Sequence, residues 1–256
     1  MTADIIVHIG APKCGSTYLQ RVLLKNQKDL QDMGISYPHI GDGHPGNGLA
    51  LPNLTKAWVA EQLRNHRTLL FSHEDLFSDP NAGRKLRNIV NAMGLSIQII
   101  AFLRPFAEWL AADFSQTLKQ SLSGTYFKKV PDFRSFQRQR EAKIKPSSFL
   151  NDWQKLFPER PLRAFQKTDI RTEMVRLLPA LDTVDWQIAT WRTNPSLDLH
   201  VAEKIQEKLY SGDLLTAQHL LTNTQNQTSI TSPPNIQSAH FQAEREWVAE
   251  RFGIQI

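Results

Sequence analysis

GAPKCGSTYLQ, residues 10–20, is the stretch on which the reading of this chain turns. Before it stands DIIVHI, residues 4–9, a β-branched run of strand character. After it Tyr18, Leu19, Val22, Leu23, Leu30 and Met33 recur at helical spacing and stop before Gly34, which predicts a helix over 16–33. Strand, glycine-containing loop, helix is the context in which several backbone amides meet at one point and hold an anion. Glycine allows the tight turn, the helix start adds the positive end of its dipole, Ser16 and Thr17 add hydroxyls, and Pro12 stiffens the entry. A strand-to-helix turn with no ligand is the plainer alternative. Gly10 and Gly15 fit the spacing of the nucleotide-kinase pattern G-x-x-x-x-G-K-[ST], yet Ser16 occupies the lysine position and Lys13 precedes the second glycine by two residues.

Outward from this loop, strand and helix signals alternate. TKAWVAEQLRNH (55–66) reads as helix, RTLLFS (67–72) as strand, GRKLRNIVNAMG (83–94) as a helix closed by glycine, SIQIIAFL (96–103) as a buried strand, and Phe106 to Lys119 as helix. That alternation predicts an α/β fold with a mostly parallel central sheet flanked by helices. Past residue 130 helices dominate, at about 131–142, 146–157, 169–179, 197–210 and 238–252, with one further strand at PLRAFQ, 161–166. The expectation is one domain over 1–256 with a helical C-terminal half. HIGDGHPGNG (39–48) reads as a surface loop near the end of the first strand, and TNTQNQTSITSPPN (222–235) as a polar connector.

Thirty Lys and Arg against 25 Asp and Glu leave a net charge of +5, which suits an anionic ligand but falls short of a nucleic-acid binder, and no nucleic-acid module is present. Cys14 is the single cysteine, so neither an internal disulfide nor a cysteine-rich zinc site is available, in keeping with a reducing compartment. Residues 1–9 lack the basic-then-apolar pattern of a leader, and no apolar run approaches the roughly 18 residues of a membrane span, so a soluble, cytoplasmic protein is expected.

The order P-K-C-G-S-T closely resembles the P-K-[ST]-G-T-T loop of sulfotransferases that use 3′-phosphoadenosine 5′-phosphosulfate (PAPS). In that family the loop holds the 5′-phosphosulfate and its lysine contacts the bridging oxygen as the sulfuryl group leaves. The resemblance implies that Lys13 is that lysine, that Gly15, Ser16 and Thr17 follow it in the loop, and that Cys14 departs from the usual Ser or Thr in a slot that contributes mainly its backbone N–H. FLRPFAEWLAADFSQTLK (102–119) resembles the family's second nucleotide element, which implies a 3′-phosphate contact for Arg104. The serine expected eight residues later is Ala112 here, and the nearest hydroxyl is Ser115, about one helical turn on. A wider resemblance reaches a group of bacterial sulfotransferase-like proteins that open H-I-G-x-x-K-[TC]-G-[ST]-T-x-x-Q. Their later features are a histidine-containing polar stretch, S-x-E, L-R with Q-x-x-K, and R-x-N-x-S. This chain has HIGAPKCGSTYLQ, His44, FSHED, FLR with QTLK, and WRTNPS in the same order. The implied fold is the P-loop-like sulfotransferase fold, and the implied nucleotide is PAPS, with a saccharide or glycolipid hydroxyl as acceptor.

Sulfuryl transfer to an alcohol needs in-line approach, a base for the hydroxyl proton, and positive charge where the leaving phosphate becomes negative. Lys13 serves the last need. Strands of open α/β sheets direct their carboxyl ends at the ligand crevice, so the base is sought just after RTLLFS, where His73 and Glu74 are adjacent. The S-x-E resemblance favours Glu74, with His73 next; a helix-start charge is the alternative for Glu74. His44 is a candidate for orienting the acceptor, and His8, alternating within a strand, is read as structural. In WRTNPSL the residues themselves suggest a helix cap at Ser196, and the resemblance implies late contacts to nucleotide or acceptor for Arg192 and Asn194. Eight Lys and Arg against two acidic residues over 119–145, with Phe127, Phe133 and Phe136, mark a solvated face or an acceptor groove. No metal is expected, because the loop lacks the Lys-Ser/Thr order that serves a Mg²⁺-bound triphosphate. The competing readings are a small-molecule kinase and a nucleotide-binding protein with little catalysis.

Overall fold

The computed structural model describes residues 4–39, 43–124, 129–189, 196–224, 236 and 238–256. Among them the fold is α/β, with a five-stranded, all-parallel sheet: β1 (Ile5–Ile9), β2 (Ile35–Ser36), β3 (Thr68–His73), β4 (Ile97–Leu103) and β5 (Arg163–Gln166), in the order β2-β3-β1-β4-β5. β1 and β3 are buried along their whole length, as expected for parallel strands covered on both faces.

Helices α1 (Ser16–Lys25) and α2 (Gln27–Asp32) carry the chain from β1 to β2. Leu19, Val22, Leu23 and Leu30 on these helices pack on Ile6, Leu70, Ile100 and Phe102 of the sheet, together with Ile170 and Met174 of α8 (Ile170–Leu177). The predicted helix 16–33 is thus two helices. Asn26 separates them: its side chain donates to the Val22 carbonyl and accepts from the Asp185 amide, a tertiary partner that helical spacing cannot reveal. Helix α3 (Lys56–Asn65) lies between β2 and β3, and α4 (Arg84–Met93) between β3 and β4; α5 (Phe106–Ser123), α6 (Phe133–Glu141) and α7 (Pro146–Leu156) lie between β4 and β5. After α8 come α9 (Leu199–Ser211), α10 (Leu214–Thr224) and α11 (Ala239–Phe252). α10 was not expected from the sequence; it takes in the first three residues of the anticipated connector at 222–235, the rest of which lies outside the described residues.

The chain forms two compact units, one from Met1–Arg104, Pro146–Ile188 and Trp247–Ile256, the other from Pro105–Lys145 and Ala189–Glu246. The first holds the sheet. In the second, Phe114 packs edge-on to Phe133 and against Phe136, which places both α6 phenylalanines in a core. Phe127 lies outside the described residues. No helix among the described residues is long and apolar enough to cross a membrane.

In the sheet, β1 lies between β3 and β4. The exit of β1 leads to β2, beyond β3, whereas the exit of β4 leads to β5 on the other side. Neighbouring strands with diverging exits make the crevice in which α/β sheets bind ligands, outside the strands' carboxyl ends. Residues 10–15 follow β1, Glu74 follows β3, Arg104 follows β4 and Lys167 follows β5. Parallel pairing brings all four segments to that one edge.

Candidate functional site

The chain turns sharply as it leaves β1. Cys14 N–H donates to the Ala11 carbonyl at 3.1 Å, closing a turn with Pro12 at its second position and Lys13, at φ 63°, at its third. Proline followed by positive φ is the pattern of a type II turn, where glycine or asparagine is the usual third residue. Holding a lysine there costs about 1–2 kcal/mol, and Lys13 is the one non-glycine residue with positive φ among those described. Arg104 braces the turn from β4, its Nη1 donating to the Lys13 carbonyl at 2.8 Å.

Gly15, at φ 93°, ends the turn and offers no side chain to cap α1. The first-turn amides of Ser16, Thr17 and Tyr18 therefore lack an intrahelical acceptor, and they stand where a helix start attracts an anion. Ser16 Oγ is buried there without a hydrogen-bond partner. Cys14 is buried, Pro12 exposed, and Lys13 and Thr17 between these limits. A Cβ on Gly15 would lie 2.6 Å from Ile170 Cδ1, and 3.5 and 3.8 Å from Lys167 Cγ and Cε. Two facts follow. The stem of Lys167 runs along the loop, bringing a second lysine to it; and Gly15→Ala should destabilise the protein by at least about 2 kcal/mol through left-handed strain and overpacking, read from the urea unfolding midpoint.

A hydrogen-bonded cluster lies beyond the end of β3. Asn47 docks the polar loop on that strand: its N–H donates to the Ser72 carbonyl at 3.0 Å, its Oδ1 accepts from the Ser72 amide at 2.8 Å and its Nδ2 donates to the Leu70 carbonyl at 2.9 Å. Gly46 is pressed so close that a Cβ would lie 2.9 Å from the Ser72 carbonyl oxygen. The docking carries His44 to Glu74, with His44 Nε2 3.0 Å from Glu74 Oε1. Gln20 of α1 donates to the other carboxylate oxygen at 3.1 Å and to Ser72 Oγ at 3.3 Å. His8 Nδ1 pairs with Ser72 Oγ at 2.8 Å. Burial alone would raise the Glu74 pKa. The hydrogen bonds from Gln20 and from Glu74's own backbone amide, with the nearby His73 and His44, outweigh it and hold the carboxyl below its ordinary range. Burial pushes the His8 imidazole down to about 4, with Glu74 opposing in part.

His73, the last residue of β3, is buried, and its Nδ1 accepts from the Asp75 amide at 3.2 Å. Its ring sits 4.6 Å from that of His44, centre to centre. His44, His73 and Glu74 each present a possible metal-ligand atom within 4.8 Å of the others. The amides around them argue against that use. Gly46 N–H and Asp75 N–H both point at ring Nδ1 atoms, whereas a histidine ligating through Nε2 carries a proton on Nδ1 and needs an acceptor there.

Thus Lys13, the loop 12–17, Arg104, His44, His73 and Glu74 lie along the carboxyl edge of one sheet. Ala112 and Ser115 are buried in the other compact unit, where Ser115 Oγ accepts from the Leu197 amide at 2.8 Å. Arg192 and Asn194 lie outside the described residues. Ser196 is described and exposed, and the side chain that caps α9 is Asp198, not Ser196. Gln20 and Ser72 stand in the quoted motifs T-x-x-Q and S-x-E but were given no role from the sequence, and Lys167 was missed. Gln20 could have been found as the i+4 neighbour of Ser16, one turn along the same helix face; Lys167 had no signal short of knowing that β5 pairs with β4. No protein-family model, no curated protein and no solved structure matches this chain.

Proposed function

We propose that this protein is a sulfotransferase that moves a sulfuryl group from PAPS to a hydroxyl of an acceptor, a saccharide or glycolipid. The observation that carries the reading is the placement of Lys13: a lysine held in a left-handed turn at the switch point of the sheet, ahead of the glycine, with open helix-start amides behind it and the carboxylate of Glu74 on the adjacent strand end. A Walker-type lysine follows the glycine instead and reaches the β- and γ-phosphates of a triphosphate. The donor set suits a compact dianion: amides of the first turn of α1, the unpartnered Ser16 hydroxyl, and the Lys13 and Lys167 ammonium groups.

In the proposed step the acceptor oxygen attacks sulfur and gives its proton to Glu74. The new O–S bond forms as the bond from sulfur to the bridging oxygen breaks, and Lys13 neutralises the charge that collects on the departing phosphate. Glu74 is the better base because His73 is buried and spends its accepting nitrogen on the Asp75 amide. Arg104, fixed on the Lys13 carbonyl, sets the loop's shape and stands beside it as the 3′-phosphate cation.

Thermal shift tests the nucleotide assignment. Stabilisation by adenosine 3′,5′-bisphosphate, the product PAP, and not by ATP with Mg²⁺ is expected; the reverse result favours a kinase. Lys167→Ala should weaken PAP binding about 10-fold by titration calorimetry, with Lys167→Arg recovering most of it, as expected for a charge contact worth about 1–2 kcal/mol. An unchanged affinity removes Lys167 from the site.

A further inference from the structure

Glu74 is held from both sides by side-chain donors, His44 and Gln20, whose direction their own partners fix. Gly46 N–H donates to His44 Nδ1 at 3.1 Å. A neutral imidazole that accepts at Nδ1 carries its proton on Nε2, the nitrogen 3.0 Å from Glu74 Oε1. On the other side the Gln20 amide nitrogen has two hydrogens, one for Glu74 Oε2 and one for Ser72 Oγ. Turning that amide over would set its oxygen against an ionised carboxylate, so the charge on Glu74 selects the orientation seen. Ser72 is itself fixed by Asn47 and His8.

We infer that His44 and Gln20 are positioning residues for the proposed transfer: Gly46 locks His44 as a donor, and the pair clamps the Glu74 carboxylate in one orientation, ionised, facing the acceptor. His44 is therefore not a second base. Its accepting nitrogen is taken by the backbone, and its donating nitrogen serves Glu74. The inference rests on Glu74 acting as the base, but the clamp itself is a property of the protein without substrate. Glu74's own backbone amide also donates to the carboxylate, which still has acceptor capacity for an incoming hydroxyl, and the fixed donors leave it little freedom to turn away.

The experiment is a pH titration of Glu74 by ¹³C NMR in protein labelled at glutamate carboxyls, the resonance being assigned by its loss in Glu74→Gln. Wild type is compared with His44→Leu and His44→Gln; the His44 side chain is 40% exposed, so neither change disturbs the core. The other titratable groups around Glu74, namely His73, Asp75, the buried His8 and Tyr37, are kept in every variant. Glu74 is expected to titrate at higher pH in His44→Leu and to return most of the way in His44→Gln, whose amide nitrogen reaches the place of Nε2. In parallel, kcat for transfer from PAPS should fall about 10-fold or more in His44→Leu with PAP affinity unchanged, and recover in His44→Gln. A Glu74 midpoint that stays put in His44→Leu overturns the inference, whatever the activity. A midpoint that moves while kcat does not overturns the positioning role. A midpoint that moves and recovers in a wild-type protein that transfers no sulfuryl group upholds the clamp and removes the proposed function instead.

Discussion

Replacing Lys13 with glycine is expected to lower kcat for PAPS-dependent transfer by about 100- to 1,000-fold, the scale of losing one preorganised charge contact to a developing anion. Stability should be kept. Lys13 sits at φ 63°, a conformation that costs an L-residue about 1–2 kcal/mol and glycine nothing, against about 0.5–1 kcal/mol of extra chain entropy for glycine. The two terms nearly cancel, so the unfolding free energy should change by less than about 1 kcal/mol. Lys13→Ala sharpens the comparison: it removes the same ammonium but keeps the strained backbone, so its rate should match that of Lys13→Gly while its stability should not exceed it. Rates come from transfer of labelled sulfate and stabilities from urea unfolding. A Lys13→Gly protein with near wild-type turnover would show that the loop is only a turn.

The second large effect is on stability. His8 is fully buried against Ser72, and burial lowers its pKa from an ordinary 6.5 to about 4, with Glu74 opposing in part. The unfolded chain therefore takes up a proton near pH 6.5 that the folded one refuses until about pH 4. The sign follows: the stability is complete above pH 6.5 and is lost as the pH falls toward 4, for a total of about 3 kcal/mol. About 2 kcal/mol of it should disappear between pH 7 and pH 5, above the range in which ordinary carboxylates titrate. His8→Asn keeps a short polar partner for Ser72 and does not titrate, so its unfolding free energy should lack this slope even if its absolute stability is lower. Urea unfolding at a series of pH values separates the two. Parallel curves for wild type and His8→Asn would mean that His8 is solvated or charged in the folded protein. The Glu74 carboxyl, lowered from its ordinary range, contributes with the same sign at more acid pH, where its stabilisation fades as it protonates.

Strand and helix periodicity carried most of the architecture. β1, β3 and β4 fall within a residue or two of the runs that predicted them, because β-branched segments buried on both faces leave a dense apolar signal. β2 was invisible: Ile35 and Ser36 are two residues, too few to show a period. α10 was missed for a different reason: Leu214, Ala217 and Leu221 do recur at helical spacing and Asp213 Oδ1 caps the helix by accepting from the Thr216 amide, but only Gly212 and Asp213 part it from α9, a short break in which the sequence marks no second helix. The anion loop was legible because its donors are consecutive in sequence. The clamp on Glu74 was not, since Gln20, His44 and Glu74 belong to three segments that meet only when Asn47 docks one loop on β3. The same holds for Lys167, which reaches Gly15 because β5 lies two strands from β1, across β4.

A crystal structure of the protein with PAP decides whether the loop after β1 holds the nucleotide. The 5′-phosphate is expected on the first-turn amides of α1, those of Ser16, Thr17 and Tyr18, with the Lys13 ammonium within hydrogen-bond distance of it on the side that faces Glu74. PAP bound elsewhere, or a Lys13 side chain turned to solvent beside empty loop amides, would contradict this placement.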